Sequence, residues 1–190
     1  IVPVITYLPC KTSRWSQMCC NRTMAIARDL GALTLDLEYE NPLNDLTDWA
    51  DGPDHVNPAG ALKLTAAVGS FLREQLSLPD RRQEEAYGDW QKDLEAYYKT
   101  QEAQMTEADA PEKILTLAAL PGFRAKLELA PGYENELLTA QIEELGSRGN
   151  LETAQNPDFD ALRLTVWNAA GDRVLCRTWN KALFPEGGNP

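Results

Sequence analysis

Apolar and polar residues along the first 78 positions follow the order strand, helix, strand, helix. Ile1-Val2-Pro3-Val4-Ile5-Thr6-Tyr7-Leu8-Pro9 is a short apolar run closed by proline, the pattern of a buried strand that stops at its carboxyl end. Ser16 to Leu30 places Met18, Cys19, Met24, Ile26, Ala27 and Leu30 on a broken helical face, and Gly31 ends the helix. Ala32-Leu33-Thr34-Leu35-Asp36-Leu37 predicts a second strand. Strand, helix and strand at this spacing imply a parallel pair joined by a right-handed crossover. Eighteen or so residues of irregular chain follow, and loops of about that length inside a compact domain are usually functional or disordered. Asn57 and Pro58 then supply a capping side chain and a first-turn proline. The helix they start carries Ala61, Leu62, Leu64, Val68, Phe71, Leu72 and Leu76 at helical spacing.

After Leu76 the pattern changes. Pro79 breaks the helix, and Arg81 to Gln104 is dense in charged residues, with Tyr87, Trp90, Leu94, Tyr97 and Tyr98 at threes and fours. That is an amphipathic helix with an aromatic stripe, read as a packing surface and not as a ligand platform. From Pro111 the pattern predicts a helix to Leu120, a strand over Phe123–Leu129 and a helix over Asn135–Leu145 stopped by Gly146. Two alternating runs, Ala161–Trp167 and Arg173–Trp179, flank Asn168-Ala169-Ala170-Gly171-Asp172 and predict a hairpin. A register that places Trp167 and Trp179 on one face is open. The reading is therefore an α/β part over residues 1–78, a linker helix over 79–109, and a small α+β accessory domain over 110–190. The layout of the last part loosely resembles the lectin-like domains that follow bacterial envelope proteins, in which a helix before the last hairpin ends in Leu-Gly, as at Leu145-Gly146. That likeness carries no site residues.

Composition is that of a globular protein, with 43% hydrophobic and 25% charged residues, so neither part reads as disordered. No apolar run is long enough to span a membrane, and no signal-peptide pattern is present. The net charge of −11 divides as −4 over residues 1–80 and −7 over 81–190, so neither part is a basic module for nucleic acid or an anionic membrane. Cys10, Cys19, Cys20 and Cys176 with one histidine and no Cys-x-x-Cys pair do not form a zinc motif, and no cofactor or metal is expected. A disulfide from Cys10 to Cys19 or Cys20 is open for an exported protein.

The most informative segment is Asp51-Gly52-Pro53-Asp54-His55-Val56-Asn57-Pro58-Ala59-Gly60, which holds the only histidine of the chain. A histidine on a loop before a helix, with a carboxylate nearby, has the arrangement of a general base and its orienting group. Its competing reading is a solvated surface residue. The segment resembles the last block of the SGNH (GDSL-type) hydrolases, in the form "Asp…His-Leu-Asn…Gly-Ala" of cell-envelope members: His55, Asn57, Gly60 and Ala61 match it directly. The family places its aspartate three residues before the histidine, where this chain has Gly52. Asp51, with one extra loop residue, is the favoured orienting carboxylate, and adjacent Asp54 is the alternative.

The resemblance implies a partial flavodoxin-like parallel sheet of SGNH type, and a C-terminal portion of a longer esterase or O-acyltransferase acting on acylated carbohydrate or envelope polymer. It also implies a small ester or acylated glycan as substrate and a location outside the cytoplasm or in the cell envelope. A Gly-Asp-Ser-like serine block is expected upstream of Ile1; Ser13 and Ser16 lie in the loop after the first strand with nothing that marks either as activated, and Ser70 lies inside a helix. The chain alone is expected to be inactive and, through an open sheet edge, to self-associate. The other reading is a noncatalytic module that binds a glycan or a partner.

Overall fold

The computed structural model describes residues 1–10, 13–50, 54–133, 135–158 and 160–180. The chain forms two compact units, Ile1–Glu84 and Glu85–Pro190, each with its own sheet.

In the first unit, β1 (Val4–Tyr7) and β2 (Leu33–Asp36) run parallel, with Val4 opposite Leu33 and Tyr7 opposite Asp36. The crossover between them is α1 (Arg14–Asp29), capped by Ser13, whose hydroxyl accepts from Ser16 N. Buried Cys20, Met24 and Ala27, at helical spacing, mark the face of α1 turned inward. The βαβ unit expected from the hydrophobic pattern is thus present, with strands shorter than the apolar runs. Helix α2 (Pro58–Gln75) closes the unit by packing on β2, where Leu35, Leu37 and Leu64 form a small core with Leu43, Val56, Ala67, Val68 and Phe71 at its edge.

The second unit begins with a short 3-10 turn (Glu85–Tyr87) and α3 (Gly88–Glu107). Read from sequence as a linker, α3 belongs to this unit. Met105 is fully buried, Asn168 Nδ2 donates to Glu102 Oε1, and Arg177 donates to the carbonyls of Thr106 and Ala108. There follow α4 (Pro111–Ala118), β3 (Arg124–Leu129), α5 (Glu136–Ser147), β4 (Leu151–Gln155), β5 (Leu162–Trp167) and β6 (Arg173–Trp179). The sheet order is β4-β3-β5-β6, with β3 and β4 parallel and the other pairs antiparallel. Fully buried Ile114, Leu115, Leu127, Leu138, Leu162, Leu164 and Val166 fill the layer between helices and sheet. Gln141 enters that layer with its amide nitrogen satisfied, Nε2 donating to Glu112 O at 3.0 Å and Thr116 Oγ1 at 2.9 Å, while its Oε1 is buried without a hydrogen-bond partner.

Two sequence expectations change here. The strand β4 is not visible in the apolar pattern, because Leu151-Glu152-Thr153-Ala154-Gln155 is an edge strand with a mostly polar side-chain row. The two tryptophans lie on opposite faces. Trp179 pairs with Leu162 on the helix-covered side, whereas Trp167 is one residue out of phase with buried Val166, and a bulge shifts the register at that point.

Candidate functional site

The chain leaves the carboxyl end of β2 through a turn built on Asp36, whose Oδ1 accepts from Glu38 N and Tyr39 N at 3.2 Å each. It then folds into a loop ending at His55, and this loop is held by polar bonds. Asp48 has no solvent exposure; its Oδ2 accepts from Lys63 Nζ at 2.5 Å and from Asn44 N at 2.6 Å, and its Oδ1 from Thr47 Oγ1 at 3.2 Å. A buried carboxylate is tolerable only with a cation and donors arranged this way. Lys63 comes from the second turn of α2, so the ion pair ties the middle of the loop to the helix.

Asn57 is the second tie, and all of its amide is used. Its Oδ1 caps α2 by accepting from Ala59 N at 3.0 Å and Gly60 N at 3.1 Å. Its Nδ2 donates to Thr47 O at 2.7 Å and Trp49 O at 3.2 Å, so one side chain starts the helix and anchors the returning loop. The backbone continues the tie: Asn57 N donates to Asp48 O and Ala50 N donates to His55 O, each at 2.9 Å, with an isolated antiparallel bridge between Trp49 and Val56. Gly60 is required by this packing. A Cβ there would collide with the carbonyl oxygen of Asp48 and lie 3.1 Å from the Cβ atoms of Asp48 and Val56. The residues Asn57 and Gly60 of the conspicuous segment thus build the loop, and His55 is what the loop presents.

His55 and Asp54 are both about two-thirds exposed, with His55 Nε2 3.8 Å from Asp54 Oδ1. That separation is an ion-pair distance and too long for the hydrogen bond that fixes an imidazole tautomer. Asp51, the favoured orienting carboxylate, lies outside the described residues. The serines considered as nucleophiles are engaged in local structure. Ser13 caps α1 and its hydroxyl lies 3.2 Å from that of Ser16, while Ser70 Oγ accepts from Arg73.

The carboxyl ends of β1 and β2 also gather groups that sequence reading did not connect. Cys10 N donates to Glu38 Oε2 at 2.8 Å, and Cys20 Sγ lies 3.8 Å from Asp36 Oδ2. Burial, and then the Glu38 charge, push the Cys10 thiol up, against a hydrogen bond with Tyr7 that lowers it. Burial and Asp36 push Cys20 up to about 11. Burial, then the Cys10 thiol, raise Tyr7. An acidic, partly dry surround of this kind holds both thiols protonated at neutral pH, which is the reverse of what a cysteine nucleophile needs. All four cysteines are free thiols; Cys19, next to buried Cys20, is exposed. No group of three or more His, Cys, Asp or Glu residues suited to a metal ion occurs among the described residues. Among the same residues no helix is long and apolar enough to cross a membrane.

The missed elements are Asp48 and Lys63. The only hint in sequence is Asn44 and Thr47 ahead of Asp48, residues that favour local side-chain to backbone bonds. The chain is mixed α/β with a small parallel sheet and a separate mixed sheet. Compared with protein families, curated proteins and solved structures, it matches none.

Proposed function

We propose that the first unit is the histidine-bearing end of an SGNH-type esterase or O-acyltransferase domain that acts on acylated carbohydrate or envelope polymer. The observation that carries this reading is the wiring of the loop. Asn57, Gly60 and the Asp48–Lys63 pair tie down a loop that leaves the carboxyl end of β2 and carries His55, and open α/β sheets bind their ligands beyond such ends. In this reading His55 is the general base, Asp51 fixes its tautomer, and the hydroxyl nucleophile and oxyanion donors come from outside the described residues. Asp54 contributes field and no orienting bond. The flavodoxin-like character of the sheet and a cell-envelope setting belong to the same proposal.

The test is hydrolysis of a short-chain aryl ester. The 190-residue chain is expected to show no saturable turnover, since a base with no positioned nucleophile has nothing to activate. In a polypeptide that supplies a Gly-Asp-Ser-like block ahead of these residues, His55→Ala should lower turnover by about 10²–10⁴. Asp51→Asn should lower it severely and Asp54→Asn little. Unchanged turnover in His55→Ala of that longer protein would overturn the proposal; a dominant effect of Asp54→Asn would overturn the assignment of the orienting carboxylate.

A further inference from the structure

A cleft of about 450 Å³ opens at the end of the second unit's sheet where β3 and β4 begin and β5 ends. Arg124, Asn150, Glu152 and Trp167 line it, and the turns at Gly149 and Gly171 border it. Both glycines take positive φ, +75° and +87°, and a Cβ on either would meet no atom within 4 Å, so the turns leave the cleft open. Strand register arranges its chemistry. β3 and β5 turn Ala125, Leu127, Leu164 and Val166 into the apolar layer, so Arg124 and Trp167, which lie opposite each other, belong to the other face. Arg173 of β6 lies opposite Trp167 on its second flank. An indole thus stands between two arginines in one row across three strands. Trp167 is half-buried and both arginines are exposed. Among the described residues, neither arginine side chain has a hydrogen bond or ion pair, and no ring or cation stacks on Trp167. The other arginines of the sheet are engaged, Arg163 with Thr178 and Arg177 with the carbonyls of Thr106 and Ala108.

We propose that this row binds a purine nucleoside monophosphate, its ring stacked on Trp167 and its phosphate held by one of the flanking arginines. Aromatic faces take bases by stacking, and an arginine fork matches both a phosphate and the acceptor edge of a purine. Adjacent strands lie about 4.8 Å apart, so the two arginines start roughly 10 Å from each other, a separation that base, ribose and phosphate span end to end. With the phosphate on one arginine, the other donates to ring acceptors, and Glu152 accepts from a ring amino group. That division uses every charged group of the cleft. A cation would meet two unpaired guanidinium groups. A neutral apolar ring gains the indole and leaves both arginines without a partner, while an inorganic anion gains an arginine and leaves the indole bare. The ligand is a single nucleotide and not a strand, because the −7 charge of residues 81–190 opposes a longer polyanion. This inference concerns the second unit alone and does not rest on the role proposed for His55.

The test is protein-detected NMR with guanosine monophosphate, adenosine monophosphate, the two parent nucleosides, inorganic phosphate, tryptamine and a single-stranded tetranucleotide as probes. At least one monophosphate should move the Trp167 indole N–H and the side-chain resonances of Arg124 and Arg173, with a dissociation constant on the order of 1 mM. Its parent nucleoside and inorganic phosphate should each bind at least about tenfold more weakly, since each keeps only half of the contacts. Arg124→Gln and Arg173→Gln, at exposed positions with no side-chain partner to lose, should each weaken binding about tenfold while the remaining spectrum stays in place. Trp167→Leu should abolish binding; the two arginine variants decide the matter if that change disturbs the fold. The proposal is overturned if neither monophosphate shifts these resonances, or if the parent nucleoside or tryptamine binds as tightly. It is equally overturned if both arginine variants bind like the native chain. A tetranucleotide that binds more than about tenfold tighter than the monophosphate would overturn the assignment to a single nucleotide.

Discussion

The two units of this chain are stabilised by different means. The second encloses a continuous apolar layer in which Ile114, Leu115, Leu127, Leu162, Leu164 and Val166 are completely buried. Among the described residues, the first buries a smaller set, with Leu35, Leu37 and Leu64 in one cluster and Cys20, Met24 and Ala27 along α1, about a two-stranded sheet. The loop before α2 is held in addition by polar ties: a buried ion pair, a four-bonded asparagine and a glycine that allows the loop onto the helix. Apolar packing is tolerant of local change and sets a fold; polar ties are directional and set the place of one side chain. The unit built on such ties is the one that presents His55.

The largest contrast should come from removing one tie or one core side chain. Lys63→Met leaves the Asp48 carboxylate buried without its cation and should destabilise the first unit by about 3–5 kcal/mol. Leu164→Ala should cost the second unit about 2–5 kcal/mol through the cavity it leaves. Hydrogen exchange on each variant separates the units: amide protection should fall in 1–84 for the former and in 85–180 for the latter. Loss of protection in the second unit alone for Lys63→Met would show that the ion pair does not hold the loop.

A finer break divides the two jobs of Asn57. Asn57→Ala removes the cap and both loop bonds and should cost about 2 kcal/mol, the sum of a cap and a buried bond pair. Asn57→Asp keeps the acceptor for Ala59 N and Gly60 N but faces the Thr47 and Trp49 carbonyls with a carboxylate in place of an amide donor. Circular dichroism should therefore show α2 intact in Asn57→Asp, while exchange in residues 44–50 rises as far as in Asn57→Ala. Equal protection of that loop in Asn57→Asp and the native chain would assign the loop's order to other bonds.

The smallest effect is on pH. Cys20 titrates at about 11 in the folded state against 9.0 for the free thiol, so the unfolded chain loses its proton first as pH rises. The stability this group contributes is intact below about pH 9 and is lost between about 9 and 11, on the order of 2 kcal/mol. Cys10 is raised too and acts with the same sign. In the second unit the raised groups with the same sign are Tyr98 and Tyr133, whose free value is 10.0. Urea titrations between pH 8 and 11 should show the first unit weakening ahead of the second, and Cys20→Ser should reduce the difference. A first unit that holds its midpoint to pH 11 would contradict the burial assigned to Cys20.

What the sequence made legible follows from what is local. The βαβ order, the Asn57-Pro58 helix start and the Asn168–Asp172 hairpin are each written in one short run of residues, and all three are present. What escaped depends on tertiary company. Strand β4 exists because β3 offers it an edge, and its own residues are mostly polar. The Asp48–Lys63 pair joins residues 15 apart across a loop whose path no local pattern describes. Helix α3 reads as a separate element until Met105 and the carbonyls that receive Arg177 are seen inside the second unit. The candidate histidine was legible by composition and spacing; the machinery that holds it was only half so, through Asn57 and Gly60.

The most direct test of the central claim uses the fact that the chain has a single histidine. Long-range ¹⁵N–¹H correlation of the imidazole reports which ring nitrogen carries the proton. If the loop presents His55 as an oriented base, one tautomer should dominate well beyond the mixture of free imidazole, and Asp51→Asn and Asn57→Ala should each return it to that mixture. A native chain whose imidazole already shows the free-imidazole mixture would contradict the claim, leaving the ties of Asp48, Asn57 and Gly60 as the architecture of an ordinary loop.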